Sequence, residues 1–206
     1  MRTPLPPEDA PTPDEGQSVA PGLMLAAPNL VDPNFAGAVV LMAQHSSEGA
    51  LGFVINHPAT VNLGEVLNTI DPELAEAAAS RGLADAPVLV GGPVQRSALW
   101  LLFRRKPGEE IDHMLMVDDE LTLGATPQLL AELISGERPG PFHVILGYAG
   151  WGPGQIEGET GEGSWVPISL EPDIIFDVRS EERWSAAFKS LGAAPGAFVM
   201  AGPGLA

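Results

Sequence analysis

The chain of 206 residues contains no cysteine, which excludes disulfides, a thiolate nucleophile and every thiolate metal site together. It is also short of basic side chains: 10 Lys and Arg stand against 27 Asp and Glu, for a formal net charge of −17. Such a chain repels phosphate backbones and anionic lipid surfaces, so nucleic acid is disfavoured as a partner and a membrane is not expected. The one basic cluster, Arg104-Arg105-Lys106, stands just before the turn Pro107-Gly108 and reads as a solvated strand end. Long hydrophobic runs are missing too. Nothing reaches the roughly 18 uninterrupted apolar residues that a membrane helix needs, and the start lacks the basic-then-apolar order of a secretory signal. The expected location is cytoplasmic.

Familiar catalytic patterns are absent as well. The sequence has no G-x-x-x-x-G-K-[ST] phosphate loop, no G-x-S-x-G elbow and no H-E-x-x-H pair. The four histidines, His45, His57, His113 and His143, show no metal-ligand spacing, so no metal site and no cofactor is implied. His143 lies inside an apolar strand and reads as a structural residue.

What is present is a globular composition, 45% hydrophobic and 18% charged. Residues 1–21 are set apart by six prolines, four acidic residues and a single arginine, the makeup of a disordered leader. Residues 22–206 then form one domain large enough for a sizeable core. Apolar runs at 23–26, 37–43, 50–56, 88–90, 98–103 and 142–146 predict strands, with weaker ones at 114–117 and 164–168. The second and third of these, joined by the polar segment 45–49, predict an antiparallel pair. Helical spacing of Leu63, Val66, Leu67 and Ile70 predicts a helix capped by Asn62. Further helices are expected at 72–80, at 126–136 between Thr126 and Gly136, after Pro153, and at 180–191 before Gly192. Strands and helices alternate, yet the first strong pair is a hairpin. The expectation is an α/β fold: a mixed β-sheet with helices on both faces, three layers in all, with room for a small α+β subregion.

The segment 147–157 is the densest in glycine, carrying Gly147, Gly150, Gly152 and Gly154 with Tyr148, Trp151 and Pro153 directly after a strand. Glycine at this density implies positive φ or a close backbone approach. One reading is an anion or ligand cradle at a helix start, walled by Trp151. The other is a tight turn in which Trp151 fills core and Gln155 reaches back as a cap. Gly91-Gly92-Pro93 and Asn56-His57-Pro58 also follow strands. If those strand ends share one sheet edge, they line a common crevice. The candidate ligand-binding residues are therefore His45, Asn56, Gly91, Gly92, Gly150, Trp151, Gly152, Gly154 and Gln155.

These segments resemble the YqgE/AlgH family of small bacterial proteins (UPF0301), whose biochemical activity is unassigned. The resemblance rests on residues 22–35, 39–45, 49–58, 88–94 and 147–157, with Trp165, residues 175–177 and Trp184 in the same order. His57 departs from the arginine that the family more often carries before that proline. The resemblance implies a three-layer α/β fold and no catalytic residues. One branch is described as a transcriptional regulator linked to alginate production, a role that a charge of −17 makes physically poor for direct promoter binding. Three functions remain open on the sequence. The first is a non-catalytic regulatory protein that binds a protein or small molecule, as a monomer or small homo-oligomer. The second is an enzyme of unknown reaction using His45, Asn56 or Gln155 beside a glycine-lined pocket. The third is a DNA-binding regulator.

Overall fold

The structure, a computed structural model, describes residues 18–105, 109 and 114–192. Sixteen elements follow one another along these residues. The first three strands are β1 (Gly22–Ala26), β2 (Val39–Ser46) and β3 (Gly49–Val54). All three are antiparallel neighbours, and β2 and β3 form the expected hairpin through Ser47 and Glu48. After β4 (Pro58–Asn62), helix α1 (Leu63–Ile70) begins at a full capping box: Asn62 Oδ1 accepts from Glu65 N–H and Glu65 returns the bond to Asn62 N–H, both at 2.9 Å. Helix α2 (Pro72–Ser80) starts on Pro72, where a missing N–H costs nothing.

The chain continues through β5 (Pro87–Val90), β6 (Val94–Arg104), β7 (Leu115–Met116) and β8 (Leu121–Gly124) to α3 (Pro127–Ser135). Gly136 closes α3 in the left-handed conformation, and Arg81 Nη1 donates to the terminal carbonyls of Leu133 and Ile134. Then come β9 (Phe142–Trp151), α4 (Gln155–Gly161), β10 (Trp165–Ile168), α5 (Pro172–Phe176) and α6 (Ser180–Ser190).

Strand β9 organises the sheet. Residues 142–148 pair antiparallel with β6, residues 144–146 pair parallel with β5, and residues 149–151 pair antiparallel with β3. Strands β3 and β5 thus run toward each other beside β9 and meet where Val54 N–H donates to the Gly91 carbonyl. The path runs β10-β1-β2-β3-β9-β6-β8-β7, with β5 bridging β9 and β4. The sheet is mixed and carries helices on both faces, as expected for an α/β fold. One face, built on Leu25, Leu41, Phe53, Leu102 and Ile145, is covered by α5 and α6 through Ile175, Ala187 and Phe188. The opposite face divides. Its β5–β8 half packs on α1, α2 and α3 through Leu67, Ala78 and Leu133. Its β1–β3 half packs on Trp151, Trp165, Ile156 and Phe35.

Several elements differ from the sequence reading. Strand β9 runs on through Trp151, so 147–151 is ladder and not turn. The helix expected after Pro153 is α4, which starts only at Gln155 behind Gly154, whose φ of 71° suits only glycine comfortably. Pro58 begins strand β4 in a segment with no predicted element, and proline is allowed at a first strand position. Strand β8 and helix α5 occupy segments with no predicted element. Residues 18–21 belong to the fold: Val19 N–H donates to His45 Nδ1 at 3.2 Å, and Val19 and Ala20 pack against the Trp151–Trp165 cluster. The rest of the leader, Lys106, His113 and the tail beyond Pro195 lie outside the described residues.

Candidate functional site

The nine candidate residues fall into two groups. His45, Gly150, Trp151, Gly152, Gly154 and Gln155 lie at one end of the sheet, where His45 pairs with Ala50 and Ala50 with Trp151. Asn56, Gly91 and Gly92 lie at the other end of β3. Four residues of strand, about 13 Å at 3.3 Å per residue, separate Ala50 from Val54. His45, Asn56 and Gln155 therefore do not converge on one cleft.

In the second group, the one polar side chain is already engaged. The Asn56 amide clamps the preceding loop, accepting from Val39 N–H at 2.7 Å and donating to the Gly37 carbonyl at 2.8 Å. Burial pushes the His57 imidazole below its ordinary value, against a bond to the Ala36 backbone. Gly92, at φ 149°, has no room for a side chain, because a Cβ would run into the Tyr148 backbone.

The first group is a closed polar knot around Glu159. Its Oε2 accepts from two indoles, Trp151 Nε1 at 3.1 Å and Trp165 Nε1 at 2.7 Å. Its Oε1 accepts from Gln155 Nε2 at 2.8 Å, while Gln155 Oε1 accepts from Gly152 N–H at 3.0 Å. Trp151 is 6% exposed and Trp165 3%, packed edge-to-face at 5.9 Å with Phe35 against both. The indole thus fills core and Gln155 reaches back to the turn, the second of the two readings of this segment. Beside the knot, His45 Nε2 lies 3.1 Å from Glu157 Oε1. Gly150 and Gly152 carry no positive φ, and a Cβ there meets nothing closer than 3.9 and 3.8 Å. The close approach inferred for this segment occurs at Gly147, which sits against the Val94 and Gly92 carbonyls.

Elsewhere the structure has a cleft of about 500 Å³ between β5 and the α5–α6 junction. That volume is within the range of small-ligand sites. Leu89, His143, Ser180 and Arg183 form its inner lining; Asp85, Asp177, Arg179 and Glu181 stand exposed around it. Arg183 is 2% exposed. Its Nε donates to the Val178 carbonyl at 3.0 Å, Nη1 to the Ile55 carbonyl, and Nη2 lies 2.9 Å from His143 Nε2. Among the described residues no carboxylate comes within ion-pair distance of this guanidinium. Burial lowers Arg183 to about 10, partly offset by the field of Glu181. Burial, and then Arg183, push His143 down to about 4 against the Ile175 carbonyl. At neutral pH the pair is thus a charged guanidinium beside a neutral imidazole.

His143 is held by stacking on Phe176 at 5.4 Å and 8°, and Phe176 also carries the Arg104 guanidinium 5.3 Å from its ring centre. Arg104 further bonds Asp173, and Arg105 donates to the Glu109 and Asp118 carbonyls, so both described members of the basic cluster are engaged within the fold. Sequence reasoning missed Arg183, although a signal existed. It lies on the buried stripe of α6 with Ser180, Ala187 and Phe188, at spacings where an arginine is out of place unless held. Among the described residues no group of three His, Asp or Glu is placed to hold a metal ion, and no helix is long and apolar enough to cross a membrane.

A family model described as AlgH-like matches residues 23–196. A UPF0301 protein of Anaeromyxobacter dehalogenans is 48% identical over 198 residues, covering 96% of this chain and 98% of the relative. A UPF0301 protein of Burkholderia cenocepacia is 37% identical over 169 residues, 82% of this chain and 86% of the relative. The solution structure of the AlgH protein of Pseudomonas aeruginosa superposes with a TM-score of 0.71 at 30% identity, over 94% of this chain and 99% of that one. A crystal structure of a Corynebacterium diphtheriae protein gives 0.69 at 19% identity, over 88% and 92%, and shares the fold.

Proposed function

The chain belongs to the AlgH-like family, and from that premise we propose that it is a non-catalytic, cytoplasmic protein of regulatory type that binds a small molecule in the Arg183–His143 cleft. One observation carries the reading: a buried guanidinium that borders a cavity and has no carboxylate partner among the described residues. A buried charge held only by carbonyls and an imidazole costs several kcal/mol of desolvation, so a polar occupant stabilises it. Support for a non-catalytic role comes from the hydroxyl in the cleft. Ser180 Oγ donates to the exposed carboxylate of Glu181 and not to His143, so no hydroxyl is held against the imidazole. The lack of long apolar runs in the sequence fits the cytoplasm.

The test is to purify the chain from its native host, release what it carries by denaturation, and compare it by mass spectrometry with an Asp177→Trp variant that fills the cleft. A molecule carried by the wild type and lost from the variant is the expected result. The same molecules on both chains, or none on the wild type, would overturn the reading.

A further inference from the structure

The chemistry of the cleft points to the class of its ligand, an inference that rests on the cleft being a binding site. A guanidinium has five N–H donors, and Arg183 spends three: one each toward Val178, Ile55 and His143. Two remain on a side chain that lines the cavity. The contact with His143 is itself incomplete. His143 Nε2 lies 2.9 Å from Arg183 Nη2 and 2.8 Å from the Ile175 carbonyl. A neutral imidazole nitrogen carries either a proton or a lone pair. With the lone pair it accepts from Arg183 and faces the Ile175 oxygen with no donor. With the proton it donates to Ile175 and faces Arg183 with no acceptor. Neither tautomer satisfies both neighbours.

An oxyanion on Arg183 resolves the conflict. It accepts the guanidinium N–H groups, which frees His143 Nε2 to carry its proton toward Ile175. A simple anion, however, must pass three exposed carboxylates. Glu181 is 3.8 Å from Arg179 and is partly neutralised, but Asp85 and Asp177 have no ion-pair partner among the described residues. Cation at the floor and carboxylates at the rim match a ligand with the opposite order of charge. We propose that the cleft binds a small zwitterion of the amino-acid class, its oxyanion on Arg183 and its ammonium toward Asp85 and Asp177.

The test reads the imidazole nitrogens of His143 by NMR in the full chain. Arg183 keeps its protons, so in the free protein the charge-assisted bond holds Nε2 as a lone-pair acceptor. Glycine, β-alanine and γ-aminobutyrate serve as probes of increasing charge separation, with acetate and ethylammonium as the single-charge controls. The expected result is that at least one zwitterion turns His143 Nε2 into a protonated, pyrrole-type nitrogen while both controls leave it unchanged. Converting the exposed pair Asp85→Asn and Asp177→Asn, which leaves the folded core untouched, should weaken that zwitterion about twofold to fivefold per carboxylate, the range for exposed ion pairs. Acetate acting as strongly as the zwitterions would overturn the class, as would silence of His143 toward every probe. If that silence accompanies a native molecule lost from the Asp177→Trp chain, the cleft stands and only the zwitterion is wrong.

Discussion

Replacing Glu159 tests whether the densest motif of the chain is architecture. Its carboxylate accepts from three donors, two of them indole N–H groups on tryptophans that are nearly inaccessible to water. Glu159→Gln keeps the shape but leaves one oxygen for three donors. If that oxygen stays between the indoles, two charge-assisted bonds become neutral ones, at about 1 kcal/mol each, and the bond to Gln155 is lost. The expected cost is about 2–3 kcal/mol. Glu159→Leu strands both buried indole donors at about 1–3 kcal/mol apiece, so its cost should be near 4 kcal/mol. For a chain of this size the glutamine variant should lower the melting temperature by roughly 4–12 °C. Glu162→Gln, an exposed neighbour on the same segment with no side-chain bond to the described residues, is the control and should stay within about 0.5 kcal/mol. Denaturant melts of the three variants suffice. A cost below about 1 kcal/mol for Glu159→Leu would refute the reasoning, because the indoles would then be finding water.

The low value of His143 makes stability depend on pH: the unfolded chain takes up its proton near 6.5 and the folded one only near 4. Stability contributed by this group is complete above about pH 6.5 and is lost as pH falls toward 4, by about 3 kcal/mol in all. Urea melts at pH 7 and 4.5, compared with His143→Gln, should show the difference, and parallel pH profiles would contradict it. Gly92→Ala combines strain at φ 149° with a backbone collision and should cost at least about 3 kcal/mol, while Gly150→Ala, with open space around it, should fall within about 1 kcal/mol by the same melts. Deleting residues 18–21 in addition to 1–17 removes the Val19–His45 bond and its packing, and should cost a further 1–2 kcal/mol or so; equal melting temperatures for the two truncations would show that the contact contributes nothing. Duplex DNA should show no binding in a titration at about 150 mM salt; micromolar affinity with a steep salt slope would restore the promoter-binding role.

Periodicity and capping were legible because they are local. Asn62, Thr126 and Gly136 end their helices where side-chain and φ preferences place them, and the β2–β3 hairpin follows from two apolar runs and a short polar link. The sharing of β9 was not legible, because nothing within 142–151 records that its two halves face different partners. The same limit governed the site. Strand ends were correctly found to be glycine-rich, yet Gly91 and Gly92 meet Gly147 and Tyr148 while Trp151 lies at the opposite end of β3. Glu159 carries no sequence signal of its role, because two indole donors converge on it only in three dimensions. Arg183 was hidden for a related reason: its acceptors, Ile55 and Val178, are backbone carbonyls without a side-chain signature.

The position of β9 in the chain has a consequence for synthesis. The first three strands are complete by Val54, but the partner of β3 on its far side arrives only with residues 149–151. β5 and β6 wait for the same strand. At about 5–20 residues per second, the interval between Val54 and Trp151 lasts roughly 5–20 s on the ribosome. During it β3, and then β5 and β6 once they are made, each offer one unpaired edge to any neighbouring chain. A nascent chain arrested before Phe142 should therefore be a strong client for a holding chaperone, and one arrested well past Trp151 a weak one.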